Sequence, residues 1–174
     1  MDCSDILTER LRLTAITLPM LRAGLTHLGE LSRLVHAEIP VAWPPEHWEP
    51  HVFEFLEKQL AESPHTAGWN RYVVLRDPQP VLIGTLGAFP KSGDEAEFGY
   101  SILPEWQGRG LATEGAQALI ANLFERTLIS AMSAQTFPDL RPSLRVMEKC
   151  GLRYAGDGDE PGTVRYRIER PAPV

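Results

Sequence analysis

The chain has 174 residues, 17 basic against 23 acidic side chains, a formal net charge of −6 and two cysteines. That length supports one domain, residues 1–174, with a proper core and excludes two large ones. The acidic balance argues against a nucleic-acid surface, no apolar run is long enough to cross a membrane, and Cys3 and Cys150 offer neither a disulfide framework nor zinc spacing. Thr8-Glu9-Arg10-Leu11-Arg12-Leu13-Thr14-Ala15 alternates apolar and polar side chains and predicts a strand. Leu18 to Leu34 is helical in character, divided near Gly24 or Gly29. Pro40, Pro44, Pro45 and Pro50 keep the stretch around Trp43 and Trp48 out of any long regular element. Pro50 suits the first turn of a helix running to about Ala61, with Phe53, Leu56 and Leu60 on one side.

Strands follow at residues 71–76 and 81–89, separated by Asp77-Pro78-Gln79-Pro80, and at 96–103 after the turn Lys91-Ser92-Gly93-Asp94. Leu111 to Glu125 has helical composition, and Ile129 to Thr136 reads as a strand. Pro142 to Lys149 reads as a short helix with Leu144, Met147 and Cys150 on one face, stopped by Gly151. Strands at 152–156 and 163–169 close the chain. This order predicts a mixed α/β domain of the α+β kind around a single sheet, not a regular βαβ repeat.

The segment with chemical content is Gln107-Gly108-Arg109-Gly110-Leu111-Ala112-Thr113, between a strand and the start of a helix. Two glycines at a helix N-terminus leave backbone N–H groups free, and such a terminus attracts phosphate. Neither a Gly-x-x-x-x-Gly-Lys-Ser/Thr loop nor a Gly-x-Gly-x-x-Gly after a first strand is present, which sets aside a P-loop and a dinucleotide fold.

Gln107-x-x-Gly110-x-Ala112 resembles the signature of the GNAT superfamily of N-acetyltransferases. The block from Glu97-Phe98-Gly99-Tyr100 through Leu103-Pro104-Glu105-Trp106 to Thr113-Glu114 is similar to its RimJ/RimL-like branch of ribosomal-protein N-terminal acetyltransferases. Three further segments agree in order: Thr8 to Leu13, Ile83-Gly84-Thr85-Leu86-Gly87, and Ser143-Leu144-Arg145-Val146-Met147-Glu148-Lys149-Cys150-Gly151-Leu152. The resemblance implies a central, mostly antiparallel seven-stranded twisted sheet flanked by helices, with its fourth and fifth strands splayed. It also implies acetyl-CoA as acyl donor and no metal. The donor pyrophosphate would rest on Gln107, Gly108, Arg109, Gly110, Leu111, Ala112 and Thr113, and its pantetheine arm beside Ile102 and Leu103. Arg109 is either a phosphate partner or a solvated loop residue.

Amine acetylation needs a base for the ammonium and a proton for the departing thiolate. Glu97 is the candidate base, or else a solvent-facing residue of the acidic turn with Asp94 and Glu95. Alternation puts Glu97 and Gly99 on one face of their strand, Phe98 and Tyr100 on the other. Ser143 is the candidate acid, or a helix-start residue bonded to backbone N–H groups. The family often has a tyrosine four residues after this serine; Met147 there cannot donate a proton. It often has an asparagine three residues before it; here Leu140 stands. Trp43, Trp48 and Tyr100 are the candidate acceptor-binding residues, the tryptophans being either acceptor wall or core plugs. His47 and His51 read as surface groups, Cys150 as core and Cys3 as a terminal residue.

The resemblance implies transfer of acetyl to a primary amine by direct attack, with the α-amine of a protein N-terminus as acceptor. A small-molecule amine and a non-catalytic acyl-CoA-binding regulatory module are the alternatives, the second favoured by Leu140. Nucleic-acid and membrane partners are not expected, and the chain is expected as a monomer or homodimer. The start Met1-Asp2-Cys3-Ser4-Asp5 lacks the basic opening of a signal peptide, so a cytoplasmic location is expected.

Overall fold

The computed structural model describes residues 3–172; Met1 and Asp2, part of the chain start read for a signal segment, lie outside the described residues. Eight strands form one sheet: β1 (Ile6–Leu7), β2 (Leu11–Ala15), β3 (Arg71–Leu75), β4 (Val81–Pro90), β5 (Glu95–Ile102), β6 (Ala131–Thr136), β7 (Arg153–Asp157) and β8 (Val164–Glu169), in the order β1-β2-β3-β4-β5-β6-β8-β7. Five helices flank it: α1 (Leu18–Ala23), α2 (Leu28–Val35), α3 (Pro50–Glu62), α4 (Leu111–Arg126) and α5 (Arg141–Lys149). All neighbouring strands are antiparallel except β5 and β6.

The eighth strand is the two-residue Ile6–Leu7, which folds back on Leu13 and Arg12 of β2. The expected opening strand is accordingly shorter at its start. The Thr8 hydroxyl takes the Leu11 N–H at 2.9 Å, and the Thr8 N–H donates to the Leu11 carbonyl at 2.9 Å, so residues 8–11 turn instead of extending. The predicted break in the first helical stretch falls between Ala23 and Leu28. Pro50 starts α3, and Pro142 lies in the first turn of α5.

Two cores sandwich the sheet. Even-numbered residues of β5 (Ala96, Phe98, Ile102) pack with Leu111, Ala116, Leu119 and Leu123 of α4 and Met147 of α5. The opposite face carries Tyr72, Val74 and Leu82 against Met20, Leu21, Leu31, Phe53 and Leu56 from α1–α3. Alternation alone decides which side of β5 each residue meets, and the site depends on that division.

β5 and β6 pair only at Glu95↔Ala131, Ala96↔Met132 and Glu97↔Ser133, whereas β4 and β5 pair from Gly84↔Ile102 to Pro90↔Ala96. Beyond Glu97 the two parallel strands part, as the splay implied by the resemblance requires. The N-terminus of α4 faces this opening. Both ends of α4 are fixed: the Arg170 guanidinium donates to the carbonyls of Phe124, Thr127 and Ile129 at one end. At the other, Glu114 accepts from the Thr8 hydroxyl (2.6 Å), the Arg10 N–H (2.9 Å) and the Arg10 guanidinium (2.7 Å).

Burial alone would raise the Glu114 carboxyl pKa, but the bonds from Thr8 and Arg10 hold it below the ordinary carboxylate value. A depressed carboxyl stabilises the fold above its unfolded pKa of about 4.3, and that stabilisation is lost as pH falls through the folded value. Glu114→Gln is therefore expected to lower stability at pH 7 by about 1–3 kcal/mol. The difference from wild type should shrink toward pH 3 in urea denaturation; a deficit independent of pH would refute the ion-pair account.

Candidate active site

A cavity of about 560 Å³ lies between the start of α4, the end of β5 and α5. The residues expected to cradle phosphate lead directly into α4. Gly108 and Gly110 have φ of 73° and 77°, left-handed values that glycine adopts without steric cost. Gly110 is the N-cap, with no side-chain capping bond, and the Glu114 N–H is already bonded to the Gly110 carbonyl at 3.0 Å. The N–H groups of Leu111, Ala112 and Thr113 belong to the first turn, which has no intrahelical acceptor, and all three residues line the cavity. An anion there would meet free donors and the positive end of the α4 dipole. Gln107 braces the loop: its Nε2 donates to the Ile102 carbonyl at 2.7 Å, tying the cradle to the end of β5.

Of the residues assigned to the donor, Ile102, Gln107, Gly108, Gly110, Leu111, Ala112 and Thr113 line this cavity. Arg109 and Leu103 do not. Arg109 is exposed and its carbonyl accepts from the Arg10 guanidinium at 2.9 Å; Leu103 is buried in the core beneath α1–α3. Sequence reasoning missed Arg145 and Lys149, which line the cavity from successive turns of α5. Their i, i+4 spacing was the available signal. As exposed cations facing the cleft they suit the outer phosphate of a CoA-type donor. Arg145→Ala with Lys149→Ala is expected to raise the acetyl-CoA KM about tenfold at low salt, with kcat unchanged and the difference shrinking as salt is added. Equal KM at low salt would exclude that contact.

Ser143 and Tyr100 meet at the cavity wall. The Tyr100 Oη lies 3.0 Å from Ser143 Oγ and donates to the Ser143 carbonyl at 3.1 Å. Ser143 Oγ therefore faces a side chain of β5, and the start of α5 has no side-chain cap. Tyr100, expected on the acceptor side, sits on the α5 side instead, because even-numbered residues of β5 face α4 and α5. Burial raises the Tyr100 phenol above its ordinary pKa, against a lowering effect of its bond to Ser143. Leu140 stands at the mouth of the same cavity, 49% exposed, and supplies apolar surface where the family often has an amide.

Glu97 lies on the opposite face of β5, at the last position paired with β6. Its side chain is 14% exposed, lies 3.5 Å from Lys91 Nζ and accepts from Gln135 Nε2 at 2.6 Å. Lys91 and Gln135 also bond Asp159 at 2.7 and 2.9 Å, so the β7–β8 loop is tied to this carboxylate cluster. Gly99, next on the same face, is exposed, and nothing lies within 4 Å of the place a Cβ would occupy. Glu97 and the Tyr100–Ser143 pair thus approach the parted strands from opposite sides.

The tryptophans divide. Trp43 is 6% exposed, donates from Nε1 to the Gly24 carbonyl at 2.9 Å and packs edge-on to Tyr72, which makes it a core plug and not a wall. Trp48 is half-buried, edge-on to Phe53. His47 and His51 are exposed. Cys150 is buried, which pushes its thiol up to about 11, so it stays protonated at neutral pH. No metal-holding cluster exists among the described residues, and no helix there is long and apolar enough to cross a membrane.

A helix N-terminus with free N–H groups beside parted parallel strands, with hydroxyls on one face of β5 and a carboxylate on the other, can hold an anionic ligand and exchange protons on both sides of it. Residues 20–153 match the family model described as an acetyltransferase (GNAT) domain. The chain belongs to the GNAT acetyltransferase family. It is 35% identical over 85 residues to the uncharacterized N-acetyltransferase YnaD of Bacillus subtilis, spanning 48% of this chain and 49% of that protein. It is 32% identical over 93 residues to the FsC-acetyl coenzyme A-N(2)-transacetylase of Aspergillus fumigatus, spanning 47% and 40%. The chain thus matches half or less of the length of these two relatives. Among solved structures, the GNAT-family acetyltransferase from Bacillus anthracis superposes with a TM-score of 0.66 at 22% identity, covering 95% of this chain and 98% of that one. RimL, a ribosomal alpha-N-protein acetyltransferase in complex with coenzyme A, gives 0.62 at 20%, covering 95% and 98%. These two likenesses concern the fold.

Proposed function

We propose that the chain is an acetyl-CoA-dependent N-acetyltransferase that passes acetyl to the α-amine of a protein N-terminus by direct attack, with no covalent acyl-enzyme. The observation that carries this reading is the cavity itself, in which the uncapped start of α4 and the Ser143 hydroxyl share one wall system. Acetyl-CoA supplies the activated acyl group. The N–H groups around Gly108 to Thr113 hold its pyrophosphate, with Arg145 and Lys149 at the outer end. The β5 edge from Gly99 to Ile102, no longer paired with β6, orients the pantetheine arm through backbone groups.

Glu97 takes the proton from the acceptor ammonium on one side of β5. Ser143 gives a proton to the sulfur on the other. The open approach over Gly99 favours a chain end, which need not be enclosed. A small-molecule acceptor is the second reading; the Aspergillus relative is named for transfer at an N(2) position and not for a protein N-terminus.

Thiol release from acetyl-CoA, measured with a panel of peptides, amino acids and polyamines, tests the proposal. Release that depends on peptides with a free α-amine supports it, and release with small amines alone supports the second reading. Saturable CoA binding without release across the panel would make the protein an acyl-CoA-binding regulatory module.

A further inference from the structure

Ser143 is not alone in the cleft. The phenol of Tyr100 has one hydrogen and two acceptors at nearly equal distance, Ser143 Oγ at 3.0 Å and the Ser143 carbonyl at 3.1 Å. Two arrangements follow. In one the phenol donates to the carbonyl and the serine hydroxyl donates to the phenol oxygen. In the other the phenol donates to Ser143 Oγ, which frees the serine hydrogen to point into the cavity that both residues line. No other hydroxyl on α5 competes for this place, since Ser143 is the one hydroxyl residue in Arg141–Lys149. The ring of Tyr100 packs beside Phe98, with centroids 6.3 Å apart, which holds the phenol where it is.

We propose that Tyr100 is a positioning residue that orients Ser143 and recharges it with a proton, the two forming a two-step relay to the leaving thiolate; this rests on the transferase reading above. As the amine lone pair forms the N–C bond, the C–S bond breaks and sulfur leaves with its electron pair. Ser143 passes its proton to that sulfur. The Ser143 oxygen takes the phenolic proton in the same movement, and the phenolate regains a proton from water through the cavity mouth. The ammonium proton leaves to Glu97 before attack. The second nitrogen proton, shed to water as the amide forms, offsets the proton that water returns to the phenolate. The products are amide, thiol and the one proton taken by Glu97.

Tyr100→Phe removes the hydroxyl and keeps the ring. The expected result is a fall in kcat of about 10–100-fold, with the acetyl-CoA Kd from calorimetry within about twofold of wild type. Ser143→Ala should cost a similar factor, and the double variant no more than the worse single, because the two groups act as one unit. A purely packing role for Tyr100 would instead weaken acetyl-CoA binding or lower thermal stability, and its effect would multiply with that of Ser143→Ala. Wild-type kcat in Tyr100→Phe, or multiplying effects, overturns the relay. A wild-type protein with no amine-dependent thiol release overturns the transferase reading and the relay with it; a working wild type with a fully active Tyr100→Phe removes only the relay.

Discussion

Gly110→Asp is expected to weaken acetyl-CoA binding by about 100-fold, or roughly 2.7 kcal/mol, while leaving the protein folded. Gly110 is the N-cap of α4 at φ 77°. Aspartate tolerates left-handed backbone better than most residues and is a favoured N-cap, so its carboxylate accepts the first-turn N–H groups. Those are the donors assigned to the pyrophosphate, and the new charge repels it as well. Gly110→Ala adds only backbone strain and should weaken binding much less. Calorimetric titration with acetyl-CoA, alongside thermal denaturation, checks both. Undiminished affinity in Gly110→Asp would place the phosphates elsewhere.

Glu97→Gln is expected to lower kcat by about 100-fold or more with the acetyl-CoA Kd unchanged. The substitution preserves size and an oxygen acceptor for Gln135 while removing the charge that faces Lys91. Because Glu97 lies outside the donor cavity, a loss confined to turnover separates proton removal from donor binding. If Glu97 serves only to tie Lys91, Gln135 and the Asp159 loop together, Glu97→Gln would lower stability and spare the rate. Steady-state kinetics with a single peptide acceptor, set beside urea denaturation, distinguishes the two outcomes.

Local signals made most of the fold legible. Pro50 and Pro142 mark helix starts because a first-turn residue needs no N–H partner. The helical composition of Leu111 to Glu125 and the alternation of β5 anticipate the core beneath α4 and α5. The turn and helix start over Gln107–Thr113 were readable because their geometry lies in consecutive backbone groups and two glycines. What was not readable depends on contacts distant in sequence. Tyr100 and Ser143 are 43 residues apart, and only the packing of α5 on the even face of β5 joins them. Trp43 reads equally as acceptor wall or core plug, and the bond from its Nε1 to the Gly24 carbonyl places it in the core. Arg10 reaches the α4 cradle from the turn before β2, 99 residues away from Arg109, with no local pattern to announce it. The Ile6–Leu7 strand is too short for any periodicity.

The central claim is that this cleft carries acetyl from acetyl-CoA to a primary amine. Mass spectrometry of an acceptor peptide after incubation with acetyl-CoA and the protein tests it most directly. The account predicts a single added acetyl group on the α-amine, formed in step with thiol release and lost in Gly110→Asp. An unmodified peptide in the presence of bound, unconsumed acetyl-CoA would contradict it.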